Sequence, residues 1–183
     1  SGKGIPAAFF MSIAQTLIKS NANVKKAKKI VSKANRELYT NNQHQFFLTL
    51  FLGVFNLKTG MLNYCNAAHT SSLILKPSGE ICELELSHGL PLGLYPDKEY
   101  SESRIQIEKG DTLVLYTDGV TELQDANKFH FGEERFKENL SHLAGYKPNE
   151  MAKRIENSLE VFKGEAEQSD DISMMIIKFY SKD

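Results

Sequence analysis

Apolar residues near the start of the chain recur with a helical period. Pro6 suits a first helical turn, where its missing N–H is no loss. Residues 6–20 are rich in alanine, with Phe9, Phe10, Ile13, Leu17 and Ile18 apolar. So many apolar positions predict burial on more than one side of this helix. A second helix is predicted over 24–38, with Ala27, Ile30, Val31, Ala34 and Leu38 as its apolar stripe and the lysines off it. The period then shortens. Residues 46–55 are aromatic and apolar and predict a long strand buried on both faces. The turn 56–60 returns the chain into 61–65, and the turn 77–80 joins strands at 73–76 and 81–86. Residues 103–108 alternate, 109–111 turn, and 112–117 completes a third hairpin pairing. Helices are predicted over 132–144, carrying Phe136, Leu140 and Leu143, and over 148–162, with Met151, Ile155, Leu159 and Phe162 facing inward. A strand at 172–180 closes the chain. Two helices, a run of hairpins, two helices and a strand make an α+β arrangement rather than βαβ repeats. Residues 1–183 read as one domain, without internal repeat, low-complexity tract or inter-domain linker.

Composition narrows the partners. The formal net charge of -1 gives no electrostatic reason to expect nucleic acid or an anionic membrane as a partner. The basic run Lys25-Lys26-Ala27-Lys28-Lys29 reads as a solvated helix face. The longest apolar stretch, 46–55, is far shorter than the roughly 20 residues of a membrane span, so no membrane contact is expected of this segment. Nothing at the N-terminus resembles a signal peptide. Cys65 and Cys82 form no CxxC pair and read as small core residues in a reducing, cytoplasmic compartment.

The candidate chemistry lies where two apolar runs meet carboxylates. Asp118 ends the run Leu113-Val114-Leu115-Tyr116-Thr117, and Asp170 opens the run that continues through Ile172 to Ile177. A carboxylate at the edge of a core needs a partner, because burying it unpaired is costly. A hard divalent cation such as Mg2+ or Mn2+ is one such partner. Each aspartate also reads as an ordinary turn residue, since Asp-Gly is a common turn. Ser1-Gly2-Lys3-Gly4, leading into a helix, could cradle a phosphate, but it lacks the spacing of a P-loop. A domain rarely begins inside such a tight glycine turn, so further chain is expected upstream. Gly89-Leu90-Pro91-Leu92-Gly93 reads either as a flap near a substrate entrance or as a plain loop. His44, His88, His130 and His142 show no ligand spacing.

Six segments taken together resemble one family. They are Ser1-Gly2-Lys3-Gly4-Ile5-Pro6-Ala7-Ala8, Asn66-Ala67-Ala68-His69, Gly89-Leu90-Pro91-Leu92-Gly93, the stretch from Gly110 through Thr117-Asp118-Gly119 to Glu122, Phe131-Gly132, and Ser169-Asp170-Asp171-Ile172-Ser173. In this order and spacing they resemble the bacterial PP2C-like serine/threonine phosphatases, in the branch of the stage II sporulation protein E and the stress-response regulator phosphatases. The resemblance runs from residue 1 to about residue 180.

The resemblance implies an αββα sandwich of two antiparallel sheets flanked by helix pairs, here missing its N-terminal strands. It implies two Mn2+ or Mg2+ ions held by aspartates at one sheet edge. A water made acidic by the metals would attack a phosphoserine or phosphothreonine directly, with no protein nucleophile. The substrate would be a phosphorylated anti-anti-sigma-type regulator. By position, Asp118 and Asp170 are implied metal ligands. Asp171 caps or buttresses the site, Thr117 and Gly119 flank the ligand, and Gly119 allows a backbone turn. Gly2, Lys3 and Gly4 form the loop next to the metals. His69 is open to both a site role and a structural one.

Two departures stand out. The family's two bridging acids lie upstream of Ser1, so residues 1–183 alone are expected to be inactive and to bind metal weakly. Exposed sheet edges would then favour dimerisation or strand exchange. The family's Asn-Ala-Gly-His is Asn66-Ala67-Ala68-His69 here, which argues against a tight backbone role at position 68. The rival expectation is a non-catalytic phosphatase-fold interaction module in signalling. An upstream domain could anchor the parent protein to a membrane.

Overall fold

The computed structural model describes residues 4–24, 26–40, 42, 45–85, 89–168 and 170–180. In chain order the elements are α1 (Ile5–Ser20), α2 (Ala27–Thr40), β1 (Leu50–Asn56), β2 (Met61–Ala67), β3 (Leu73–Leu75), β4 (Ile81–Glu83), β5 (Ser103–Gln106), β6 (Thr112–Tyr116), α3 (Asp118–Thr121), α4 (Glu133–Ser141), α5 (Pro148–Lys163) and β7 (Met174–Lys178). Both sheets are antiparallel, one in the order β1-β2-β5 and the other β4-β3-β6-β7. The chain divides into two compact units, residues 1–69 with 85–106 and residues 70–84 with 107–183.

The first unit contains α1, α2 and the three-stranded sheet. All five residues of the predicted α2 stripe are buried, and Ala27, Val31, Ala34 and Leu38 pack with Cys65, Ala67, Leu92 and Tyr100. Helix α1 departs from expectation. Only Ala14 is buried, while Ile5, Phe9, Met11 and Ile13 are exposed. The helix meets its core along one face alone, that of Phe10, Ala14, Leu17 and Ile18. The predicted strand 46–55 also differs. Strand β1 begins at Leu50, lies at the sheet edge and is half-buried rather than buried on both faces. The reason precedes it. The Asn42 side-chain amide donates to the carbonyls of Phe46 and Gly93, its Oδ1 accepts from Phe46 N, and Gln45 takes φ 53°. These contacts hold 45–46 out of extended pairing, and among the described residues the isolated bridge Leu48↔Leu92 alone precedes the strand. The 89–93 segment is tied to this unit by that bridge and by Ala67↔Gly89.

The second unit packs α4 and α5 on the four-stranded sheet. Its core joins Leu73, Leu75, Val114 and Tyr116 from the sheet to Phe136, Leu140, Met151, Ile155 and Leu159 from the helices. The predicted hairpin of 103–108 with 112–117 does not form: β5 pairs with β2, and β6 with β3 and β7. Asp111 explains the change of partner. Its carboxylate, 1% exposed, accepts from Lys76 Nζ at 2.7 Å and Glu108 N at 2.9 Å. Its carbonyl accepts from Phe179 N, and Gly110 N donates to Phe179 O. The turn is thus fastened to β3 and to the end of β7 before β6 begins. Neither cysteine forms a disulfide among the described residues; Cys65 is buried, whereas Cys82 is only half-buried on the short strand β4. Among the described residues no helix is long and apolar enough to cross a membrane.

Candidate functional site

Strands β6 and β7 run antiparallel, with Tyr116 opposite Met174. The end of β6 therefore meets the start of β7, and the carboxylates that follow one strand and precede the other share a sheet edge. Thr117 closes this junction. Its N–H donates to Ser173 O at 3.0 Å, its Oγ1 accepts from Ser173 N at 3.1 Å and donates to Asp171 O at 3.3 Å. Thr70 Oγ1 donates to Tyr116 O one residue earlier. Burial pushes the Tyr116 phenol above its ordinary pKa, as expected of a ring sealed in the core at 4.7 Å from Phe136.

Asp118 opens a short helix, α3, where the sequence suggested a turn. Val120, fully buried, anchors that helix, and Glu122 N closes it on Asp118 O at 2.8 Å. The Asp118 side chain is exposed; Oδ1 accepts from Gly119 N at 3.1 Å, and Oδ2 has no hydrogen bond among the described residues. Asp170 is also exposed. Its Oδ1 accepts from Asp171 N at 2.8 Å, and its carbonyl accepts from Gln168 Nε2 at 2.8 Å. Asp171 is exposed too, and it contacts the site through its backbone carbonyl.

Gly119 is required for a different reason from the one expected. Its backbone is helical, without a positive φ. A Cβ at this position would lie 2.4 Å from Asp171 O and 3.1 Å from the same carbonyl carbon. The residue is glycine because the chain before β7 passes directly over it. A glycine after a strand-end aspartate was visible in the sequence, but the crossing segment was not.

His69 belongs to the three-stranded unit, whereas Asp118 and Asp170 belong to the four-stranded one. Its Nδ1 lies 3.3 Å from Thr49 Oγ1, its N–H donates to Asn66 Oδ1, and its carbonyl accepts from Asn66 Nδ2. Ala68, between them, takes φ 57°. The alanine therefore occupies the left-handed conformation that glycine favours, and position 68 has a tight backbone role after all. Gly4, at φ 80°, forms the N-cap of α1. Gly2, Lys3, His44 and His88 lie outside the described residues. His130 Nε2 is 3.1 Å from Gln124 Nε2, and His142 is exposed at the C-cap of α4.

Among the described residues no three His, Cys, Asp or Glu side chains form a metal-holding group. The donors at the β6–β7 edge nevertheless suit a hard cation. They are carboxylate oxygens, solvent-facing, and each aspartate keeps one oxygen without a hydrogen bond among the described residues.

A sequence profile of the family described as Stage II sporulation protein E (SpoIIE) matches residues 1–180. The phosphoserine phosphatase RsbU of Bacillus subtilis is 28% identical over 179 residues, covering 97% of this chain and 52% of RsbU. The chain spans 32% and 52% of the length of two curated relatives it matches. The SiaA-PP2C domain of Pseudomonas aeruginosa shares the fold with a TM-score of 0.86 at 22% identity, over 98% of this chain and 72% of that one. RsbX, solved in complex with magnesium, shares it with a TM-score of 0.66 at 20% identity, over 96% of this chain and 75% of that one.

Proposed function

Because the chain belongs to the stage II sporulation protein E family of PP2C-type phosphatase domains, we propose that it is the catalytic segment of a metal-dependent phosphatase acting on phosphoserine or phosphothreonine of a regulator protein. The regulator is of the partner-switching, anti-anti-sigma type, and residues 1–183 act as part of one catalytic domain. The observation that carries this reading is the meeting of Asp118 and Asp170 at adjacent ends of β6 and β7, both solvent-facing. The kinship with RsbU, a phosphoserine phosphatase, supports the reaction class, and magnesium in RsbX supports a hard divalent ion.

In this reading Asp118 and Asp170 help to hold Mn2+ or Mg2+, two ions in the full ligand set. Bound there, the ions supply an acidified water and neutralise charge on the phosphoryl oxygens. The chain's own part is positional. Thr117 fixes the spacing of the two strand ends, Val120 anchors the helix that carries Asp118, and Gly119 lets the Asp170–Asp171 segment pass close by. The carboxylates are thus presented from backbone that is already fixed, which lowers the ordering cost of binding an ion.

Dephosphorylation of a phosphoserine regulator by the full-length protein with Mn2+ tests this. Asp118→Asn should lower the rate by about two orders of magnitude or more; unchanged activity would sink the site assignment. Residues 1–183 alone should bind Mn2+ weakly in calorimetry, because two carboxylates fall short of the oxygen shell such ions require. A tight two-site isotherm would contradict that. The proposal includes self-association through the edge strand β1, and a clean monomer by light scattering would remove this part of it.

A further inference from the structure

The basic run near the start of α2 read from the sequence as a solvated face, yet the structure places a second wall opposite it. Residues 97–100 run alongside α2 and enclose with it a groove of about 560 Å³. Lys28, Lys29, Lys33 and Arg36 line it from the helix and Lys98 from the loop, with Asp97 and Glu99 as its acids. Five cations against two acids leave the groove at +3 within a chain whose total is -1, so positive charge is concentrated here.

Three features mark the arrangement as more than a surface average. First, little neutralises it. Lys33 reaches Glu37 only at 4.0 Å, and Lys29, Arg36 and Lys98 have no carboxylate partner among the described residues. Second, Lys28 and Lys29 stand in the first turn of α2, which contains no acidic residue of its own and is met by the Glu102 carboxylate, accepting from Lys28 N at 3.1 Å. Cations there oppose the helix dipole, and sequences depart from local rules in this way chiefly at functional sites. Third, the facing wall is fixed in place. Asn35, fully buried, donates from Nδ2 to Tyr95 O at 2.7 Å and to Pro96 O at 3.4 Å, and accepts from Gly93 N at 2.8 Å. Exposed Tyr39 and Tyr95 continue the helix and loop beyond the cations, and tyrosine and arginine are enriched at protein interfaces.

We propose that this groove, which lies wholly within the three-stranded unit, docks an acidic segment of a protein partner. An anionic segment lying along α2 would pair with Lys29, Lys33 and Arg36, which Glu102, bound at Lys28 N, leaves unmatched. Asp97 and Glu99 in the wall favour a peptide, whose amides can donate to them, over the dense phosphate charge of a nucleic acid. Charged side chains dominate the lining, with buried Tyr100 among them, whereas a small-molecule pocket is lined mainly by apolar residues.

Fluorescence anisotropy of residues 1–183 with a fluorescein-labelled poly-glutamate peptide tests the proposal. The peptide should bind, with affinity falling as salt rises. Lys33→Glu with Arg36→Glu should weaken it by about tenfold or more, while Lys58→Glu with Lys153→Glu, the same charge change elsewhere, should leave it nearly unaltered. Circular dichroism verifies that both variants stay folded. Absence of binding overturns the proposal, as does equal weakening by the two double variants. Displacement of the peptide by an oligothymidylate at equal charge concentration also overturns it, since the groove would then be a general polyanion sink.

Discussion

Replacing Gly119 by alanine tests the junction on which the candidate site rests, because two physical effects predict opposite signs. Position 119 lies in helix α3 without a positive φ. On propensity and unfolded-chain entropy alone, alanine should stabilise by about 0.5–1 kcal/mol. The crossing segment reverses this. The added Cβ would sit 2.4 Å from Asp171 O, whereas a carbon–oxygen contact is comfortable near about 3.3 Å. Relief requires a displacement of roughly 0.9 Å, and both partners are backbone. Moving Asp171 O also lengthens its hydrogen bond from Thr117 Oγ1, now 3.3 Å. Overpacking of this kind costs about 1–3 kcal/mol, and occasionally more; with both effects at mid-range, Gly119→Ala is destabilised by about 1 kcal/mol after the propensity gain. Urea unfolding followed by circular dichroism should show a lower midpoint with an unchanged slope. A variant as stable as the parent, or more stable, would refute the close approach of the two strand ends.

Three further changes follow from single positions. Ala68→Gly should raise the urea midpoint by about 0.5–1 kcal/mol of stability, because φ 57° strains alanine more than glycine's extra chain entropy costs; a loss of stability would mean that the methyl group packs. Asp111→Ala should cost about 2–3 kcal/mol, since it removes the charge-assisted hydrogen bonds that Lys76 Nζ and Glu108 N donate to a buried carboxylate. The hydrogen bond to Asp111 holds Lys76 above the ordinary lysine range, so this stabilisation is complete below a pH of about 10.4 and is lost as pH rises through the folded value. Asp111→Ala should therefore lose less stability than the parent on alkaline titration. Tyr100→Phe should stabilise by about 1 kcal/mol, because the buried hydroxyl has no hydrogen-bond partner among the described residues. Burial first, and then Cys65, push this phenol up to about 12, so the parent should lose stability between a pH of about 10, where the unfolded tyrosine ionises, and that value. Melting curves across this window should flatten in Tyr100→Phe.

The parts of the fold legible in the sequence are those where local period and burial coincide. Ala27, Ile30, Val31, Ala34 and Leu38 repeat with a helical period and all are buried; Met151, Ile155 and Leu159 behave likewise. What escaped was decided by contacts between distant residues. Residues 103–117 have the local chemistry of a hairpin, with Gly110 at φ 92° in the turn. The carboxylate of Asp111 is held by Lys76 and its backbone by Phe179, and these send β6 to other partners. Residues 46–55 are apolar but for Thr49, yet the amide of Asn42 holds Phe46 out of the strand. In α1 the density of apolar residues suggested burial on several sides, whereas one face alone meets the core.

The site divides along the same line. Asp118 and Asp170 stand out in the sequence because each interrupts an apolar run with a charge, and burial would penalise that charge wherever the runs went. Their meeting is a property of strand register, which no local pattern encodes. The residues that enforce it carry no ligand chemistry: Thr117 bonds across the strand ends, and Gly119 admits a backbone that any side chain would obstruct. A carboxylate pair can hold an ion at fixed geometry only if its spacing does not depend on the ion. Here the strand ends are held by the bonds of Thr117 and by the absence of a side chain at Gly119, and Asp118 and Asp170 are solvent-facing, each with an oxygen free of hydrogen bonds among the described residues. If Asp118 and Asp170 hold metal as proposed, changes at Thr117 or Gly119 should weaken Mn2+ binding in calorimetry of the full-length protein while leaving the donor atoms themselves intact, which separates the positioning of the aspartates from their identity.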